Sequence, residues 1–178
     1  LVRETLYDSL DEELRKTLHE KVANTIESEN LLSLVNVSGE LAYHYSRSND
    51  QRKAAKYLLT AGFTSPVRMD SSMLLKQGTD LLEKIEESEL TESWLNSYLF
   101  EVCNRDEKIV NQKKEKAGEN FNKSFILELA WKKLAWISYM ISPKICLDTC
   151  EKLIDHLIKK GLDINATAEF ESIRASSY

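Results

Sequence analysis

Turn-forming residues are scarce in this chain. Two prolines and five glycines in 178 residues leave little material for the many tight turns of a β-sandwich or barrel. Charged residues at 30% fit a helical protein better. Three cysteines cannot all pair with one another, which points to reduced thiols and a cytoplasmic setting. No run of about 18 apolar residues occurs, so no membrane-spanning helix is expected. The opening residues carry no secretory signal either. Basic charge is also short: 24 Lys and Arg stand against 29 Asp and Glu, a net charge of −5. Nucleic acid is therefore not an electrostatically favoured partner. A Gly-x-x-x-x-Gly-Lys-Ser/Thr phosphate loop is missing. His19 and His44 have no Ser or Cys at local catalytic spacing, and Glu86, Glu87 and Glu89 read as a solvated helix end. These residues assign no catalytic group, no cofactor and no metal to the chain. The expected role is to hold a partner, not to transform one.

Helical periodicity is what the chain has in abundance, most clearly between residues 35 and 68. Ser38 is placed to cap a first helix, on which Leu41, Ala42 and Tyr45 share a face. Asn49 and Asp50 break the pattern, and Asp50 is a favourable N-cap for a second helix with Ala54, Leu58 and Ala61 as its inward stripe. Alanine at 42, 54 and 61 lets the two backbones approach closely. Ser65-Pro66 then disfavours continuation. This set resembles one tetratricopeptide repeat, a helix-turn-helix unit of about 34 residues. Leu41, Ala42, Tyr45, Ala54, Leu58, Ala61 and Pro66 meet its pattern in one register, with Ser38 where an early Trp is usual. The resemblance implies an all-α fold, a right-handed solenoid of antiparallel helix pairs that binds proteins. An ordinary helical hairpin is the plainer reading of the same residues.

Residues 1–30 are the second informative stretch. Val2, Leu6 and Leu10 lie along one side of a short helix. Asp11 caps a longer one, whose Leu14, Leu18, Val22 and Ile26 are expected to form its buried stripe. Val2, Arg3, Glu4, Tyr7 and Leu10, with Leu18, His19, Val22 and Ala23, resemble a junction in large signalling ATPases. There an AAA-type nucleotide module and a winged-helix segment lead into helical repeats, as in soluble adenylyl cyclases and maltose-regulator-type activators. The Leu41–Tyr45 opening of the repeat is similar to the segment that comes after that junction. The resemblance covers about residues 1–68. It implies that the ATPase lies upstream and that this chain is a piece of a longer polypeptide.

Beyond residue 68 the repeat register loosens, since Lys76, Ser88 and Glu92 occupy slots for small or apolar residues. Asp70 and the serines after it open a helix carrying Met73, Leu74, Leu81, Leu82 and Ile85, and Gly78 within it marks a close crossing. Thr91 caps the next, with Trp94, Leu95, Leu99 and Val102. Residues 111–123 are polar and Lys-rich, expected as a loop or link. Residues 124–142 are apolar on nearly all sides, a helix to be sandwiched between neighbours. Ser142 and Pro143 open another, with Cys146, Cys150, Leu153, Ile154 and Leu157 buried and Gly161 ending it. A last helix is placed near Asn165, with Phe170 and Ile173 inward. The division expected is a junction at 1–30, repeat-like pairs at 31–110, a link at 111–123 and C-terminal helices at 124–178. Cys146, Cys150 and His156 invite a zinc reading, but Cys146 and His156 are separated by roughly 15 Å of helix. Zinc ligands lie within about 2.3 Å of the ion. Buried thiols are the simpler expectation.

The resemblance points to the first helix of each pair as the lining of a binding groove. On the best-matched repeat Asn36, Glu40, Tyr43 and Arg47 would project there, Tyr43 and Arg47 offering an aromatic face beside a guanidinium fork. The expected partner is a protein or peptide, or another domain of the same polypeptide. The expected function is that of a regulatory module of a multidomain signalling ATPase. A stand-alone helical scaffold that binds a peptide constitutively is the alternative.

Overall fold

The structure is a computed structural model that describes residues 5, 7–102, 111, 112, 115, 122–139, 141–159, 173 and 175. Among them all regular structure is helical, with no strand. The helices are α1 (Glu12–Glu29), α2 (Ser38–Tyr45), α3 (Gln51–Thr64), α4 (Arg68–Lys84), α5 (Glu92–Val102), α6 (Lys123–Ser138) and α7 (Pro143–Lys159), with a 3-10 turn at Glu87–Glu89. In space each lies on its neighbour in the order α1, α2, α3, α4, α6, α7, while α5 rests on α3.

The helix starts follow from side-chain oxygens that satisfy otherwise orphaned backbone N–H groups. Asp11 accepts from Glu13 N at 3.2 Å and Asp50 from Lys53 N at 3.0 Å. Asn122 accepts from Phe125 N at 3.2 Å, and Thr91 from Trp94 N at 3.2 Å. Ser38 departs from expectation. It is the first residue of α2, not its cap, and its hydroxyl donates back to the Val35 carbonyl at 2.7 Å. The turn before α2 draws that hydroxyl away from the helix, a competition serine is prone to.

The centre of the molecule is α3, buried on every side from Ala54 to Gly62. Ala54, Tyr57 and Leu58 face α1 and α2, whereas Ala55 and Leu59 belong to the larger core shared by α4 to α7. Ala42, Ala54 and Ala61 are all buried. Between α3 and α4 the backbones approach closely at glycine. A Cβ at Gly62 would fall 2.7 Å from Leu75 Cγ and 2.9 Å from Leu75 N. One at Gly78 would fall 2.8 Å from Leu59 Cγ and 3.1 Å from Leu59 N. Leu59 therefore seats on Gly78 and Leu75 on Gly62, a reciprocal fit that fixes α3 and α4 as antiparallel. Gly78 marks a close crossing, as expected, and Gly62 is its counterpart.

Lysines of α6 close the ends of the central pair. Lys133 Nζ donates to the Phe63 carbonyl, and Lys123 Nζ to the carbonyls of Glu83, at 3.1 Å, and Ile85. Helix C-termini expose carbonyls of partial negative charge, so a cation is the natural closure. Burial holds the Lys133 ammonium below its ordinary pKa. The helix that continues the stack beyond α4 is thus α6. The expected partner, α5, lies on α3, with Trp94 Nε1 donating to Arg52 O at 3.3 Å and Lys56 Nζ to Ser97 Oγ at 2.6 Å. Tyr98, absent from the expected stripe of α5, is buried beside Leu95.

The stripe expected on α1 is rotated. Leu14, Leu18 and Val22 are 46%, 40% and 42% exposed, while His19 and Ala23 are buried and Ile26 is half-buried. Polar anchors decide this. Glu27 Oε2 receives Tyr45 OH at 2.6 Å and Lys53 Nζ at 2.7 Å, and Glu27 Oε1 receives Tyr57 OH at 2.5 Å. The rings of Tyr45 and Tyr57 stack at 5.5 Å. Met73 is likewise exposed, and the inward residues of α4 are Ser71, Ser72, Leu75, Gly78, Thr79 and Leu82.

In the C-terminal half α6 is sandwiched between α4 and α7, though Trp136 stays exposed. Cys146, Cys150, Leu153, Ile154 and Leu157 are all buried along α7. Asn111, Gln112 and Glu115, from the stretch expected as a link, are helical, and Ile173 is buried. Cys103, Gly118, Asn120, Met140, Gly161, Asn165 and Phe170 lie outside the described residues. The thiols of Cys146 and Cys150 are fully enclosed, so disulfide-exchange reagents should label them only as fast as α7 opens. Labelling of either in native protein at the rate of a free thiol would contradict that packing.

Candidate interaction surface

Helix α2 buries Ser38, Leu41, Ala42 and Tyr45 and turns its opposite side outward. Helical spacing places Glu40 and Tyr43 on that outer side. Asn36 belongs to the turn before α2 and Arg47 to the turn after it, and all four are exposed. The structure brings Tyr43 and Arg47 together. Arg47 Cζ stands 3.8 Å above the Tyr43 ring, and its Nη1 donates to the Tyr43 carbonyl at 3.1 Å. The guanidinium is therefore pre-positioned, with its remaining N–H groups open to an incoming acceptor. Tyr43, 51% exposed, meets His44 edge-on at 5.2 Å and His19 at 5.9 Å. Arginine over tyrosine, with the ring face half covered, is a compact platform of low rotational freedom.

Beside this platform two furrows run along α4. The first, of 330 Å³, separates α2 from α4 over α3 and is lined by Tyr45, Ser46, Ser48, Gln51, Leu81 and Lys84, among others. The second, of 160 Å³, separates α4 from α7 over α6, with Thr79, Trp131, Ile145, Asp148, Thr149 and Lys152 in its walls. Asp80 stands between them and lines both. It is held by Lys76 at 2.6 Å and Lys152 at 3.5 Å. Glu83 and Asp80 in turn keep the Lys152 pKa above its ordinary value, against the opposing effect of burial. The furrows are mixed in charge and narrow. They suit an extended polar segment better than a compact organic ligand.

Asn36, Glu40, Tyr43 and Arg47 are all exposed, and none of them lines either furrow. The repeat resemblance implies these four as the lining of a groove, and neither furrow includes them. No local pattern marks the furrow residues of α4 and α7, because α7 comes beside α4 only through the interposed α6. Among the described residues no group of three or more His, Cys, Asp or Glu side chains is arranged to hold a metal ion. His156 instead sits 2.9 Å from Ser124 Oγ and edge-on to Trp131. No helix of the described residues is long and apolar enough to cross a membrane. Comparison of the chain with protein-family models, curated proteins and solved structures found no match.

Proposed function

We propose that this chain is a tetratricopeptide-like interaction module, a right-handed solenoid of antiparallel helix pairs that docks an extended polypeptide, non-catalytically. The observation that carries the reading is the succession of α2, α4 and α7, separated by furrows and backed by α3 and α6. In this scheme α5 is an insertion between the members of the second pair. The Tyr43–Arg47 platform anchors one end of the ligand and the furrows beside α4 take the rest. By its resemblance to the junction of signalling ATPases, the chain serves as a cytoplasmic regulatory segment of such a protein. The docked polypeptide is then a partner or another domain of the same chain, and its binding biases the nucleotide switch.

Selection from a displayed library of random peptides, followed by affinity measurement on the purified chain, tests the docking role. Selected peptides are expected to share a motif. The double substitution of Tyr43→Ala with Arg47→Ala should weaken their binding at least about tenfold, because both are exposed and little of the fold depends on them. Unchanged melting temperature in the variant is part of the expectation. Equal binding by the variant, or no enrichment of any peptide, would sink the proposal. The ATPase context requires a phosphate loop encoded upstream of Leu1, which the open reading frame answers directly.

A further inference from the structure

The junction of the N-terminal turn, α1 and α2 carries titratable groups that the docking role does not use. His19, on the buried side of α1, places its Nδ1 2.9 Å from Nδ1 of His44 on α2. Its Nε2 lies 2.7 Å from the hydroxyl of Tyr7. Two facing Nδ1 atoms bond only when one carries a proton and the other offers a lone pair. Two assignments of hydrogens satisfy all three groups, one the reverse of the other, and both leave the two rings neutral. In one, Tyr7 O–H donates to His19 Nε2 and His19 Nδ1–H to His44 Nδ1; in the other, His44 Nδ1–H donates to His19 Nδ1 and His19 Nε2–H to the Tyr7 oxygen.

The surroundings disfavour further protons. Burial is the largest influence on both rings and holds both below the ordinary histidine value of 6.5. The positive charge of Arg47 acts on both in the same direction, and His44 so acts on His19, while Glu40 opposes it at His44. Arg15 of α1 lies 5.6 Å from the Tyr7 ring centroid. From α3 the nearby cation is Lys53, which is held by Glu27 at 2.7 Å farther along the same interface.

We propose that His19 and His44 form a pH-gated latch. It holds the N-terminal turn and α1 against α2 near neutral pH and releases them as the pH falls below about 6. This goes beyond the docking role and does not depend on it. A first added proton leaves the Nδ1–H···Nδ1 bond possible but buries a cation beside Arg47. A second sets N–H against N–H, and the bond is lost. Because the released rings bind protons more tightly than the docked ones, docking is favoured above the ordinary value and weakens as pH drops through it. Glu27 strengthens the same interface but is held below its ordinary 4.5, so pH 5.5 reads the histidines alone.

Hydrogen exchange of the α1 amides at pH 7.5 and pH 5.5, corrected for intrinsic rates, tests this on the whole chain. The opening equilibrium of α1 should rise about tenfold in the native sequence between the two conditions, with α3 and α6 unchanged. The double variant His19→Gln with His44→Gln keeps hydrogen-bonding side chains without a titrating ring and should lose that response. An equal opening of native α1 at both pH values, or a full response in the double variant, would overturn the latch. Should the variant fail to fold, proton NMR titration of the native imidazoles decides. Coupled titration below 6.5 supports the proposal; two independent curves at the ordinary value refute it.

Discussion

Gly62→Ala is expected to lower the stability of the chain by about 2 kcal/mol, although alanine is the better helix former by about 1 kcal/mol at an open helical site. Its methyl would meet the backbone nitrogen of Leu75 at 2.9 Å, not merely the flexible end of a side chain. Relief requires α3 and α4 to move apart along their whole contact. Gly78→Ala should behave in the same way, since its methyl meets Leu59 Cγ at 2.8 Å and Leu59 N at 3.1 Å. Gly39 is the internal control. It lies in α2 with nothing within 4 Å of an added Cβ, so Gly39→Ala should stabilise by about 0.4–1 kcal/mol. Urea denaturation of the three variants measures all of this. A gain in stability at Gly62 or Gly78 equal to that at Gly39 would mean that the helices are not in contact there.

Glu27→Ala is expected to cost about 3 kcal/mol, because removal of one member of a partly buried charged cluster strands the others. Lys53, Tyr45 and Tyr57 would lose their common acceptor. Glu27→Gln keeps an acceptor but not the charge, and should lose less. Burial alone would raise the Glu27 pKa. The hydrogen bonds from Lys53, Tyr45 and Tyr57 outweigh it and hold the group below 4.5. The stabilisation is therefore complete above that value and disappears as pH falls through the depressed native one. Denaturation midpoints of native and Glu27→Gln chains, measured at pH 7 and at successive steps below 4.5, should draw together as the pH falls. If the gap between them persists there, the charge on Glu27 is not what joins α1 to α3.

These two sites also show how far the sequence could be read. Gly78 was visible as a costly residue inside a helical pattern, and it does mark a crossing. Gly62 lies near the end of α3, where glycine is common, and only the partner helix shows that its missing side chain is required. Likewise Asp11, Asp50 and Thr91 were legible as caps because capping depends on residues two or three positions away. The buried side of α1 was not legible. Leu14, Leu18 and Val22 carry the stronger periodic signal, but Glu27 and His19 find their partners on α2 and α3, far along the chain. Helical spacing turns Glu40 and Tyr43 of α2 away from its buried side, whereas the furrows on either side of α4 depend on contacts far along the chain.

Composition and local pattern sufficed to show that the described chain is helical, where several of its helices begin, and which apolar residues of α7 are buried. Those properties depend on composition, on the 3.6-residue period and on caps within a turn of the helix end. Tertiary structure alone decided that α6, not α5, stands beside α4, that α1 turns His19 and Glu27 inward, and that His19 meets His44. Each of these depends on contacts between residues remote in the chain. No local preference encodes them, because a helix with several apolar positions can be rolled or re-paired until polar partners elsewhere select one arrangement.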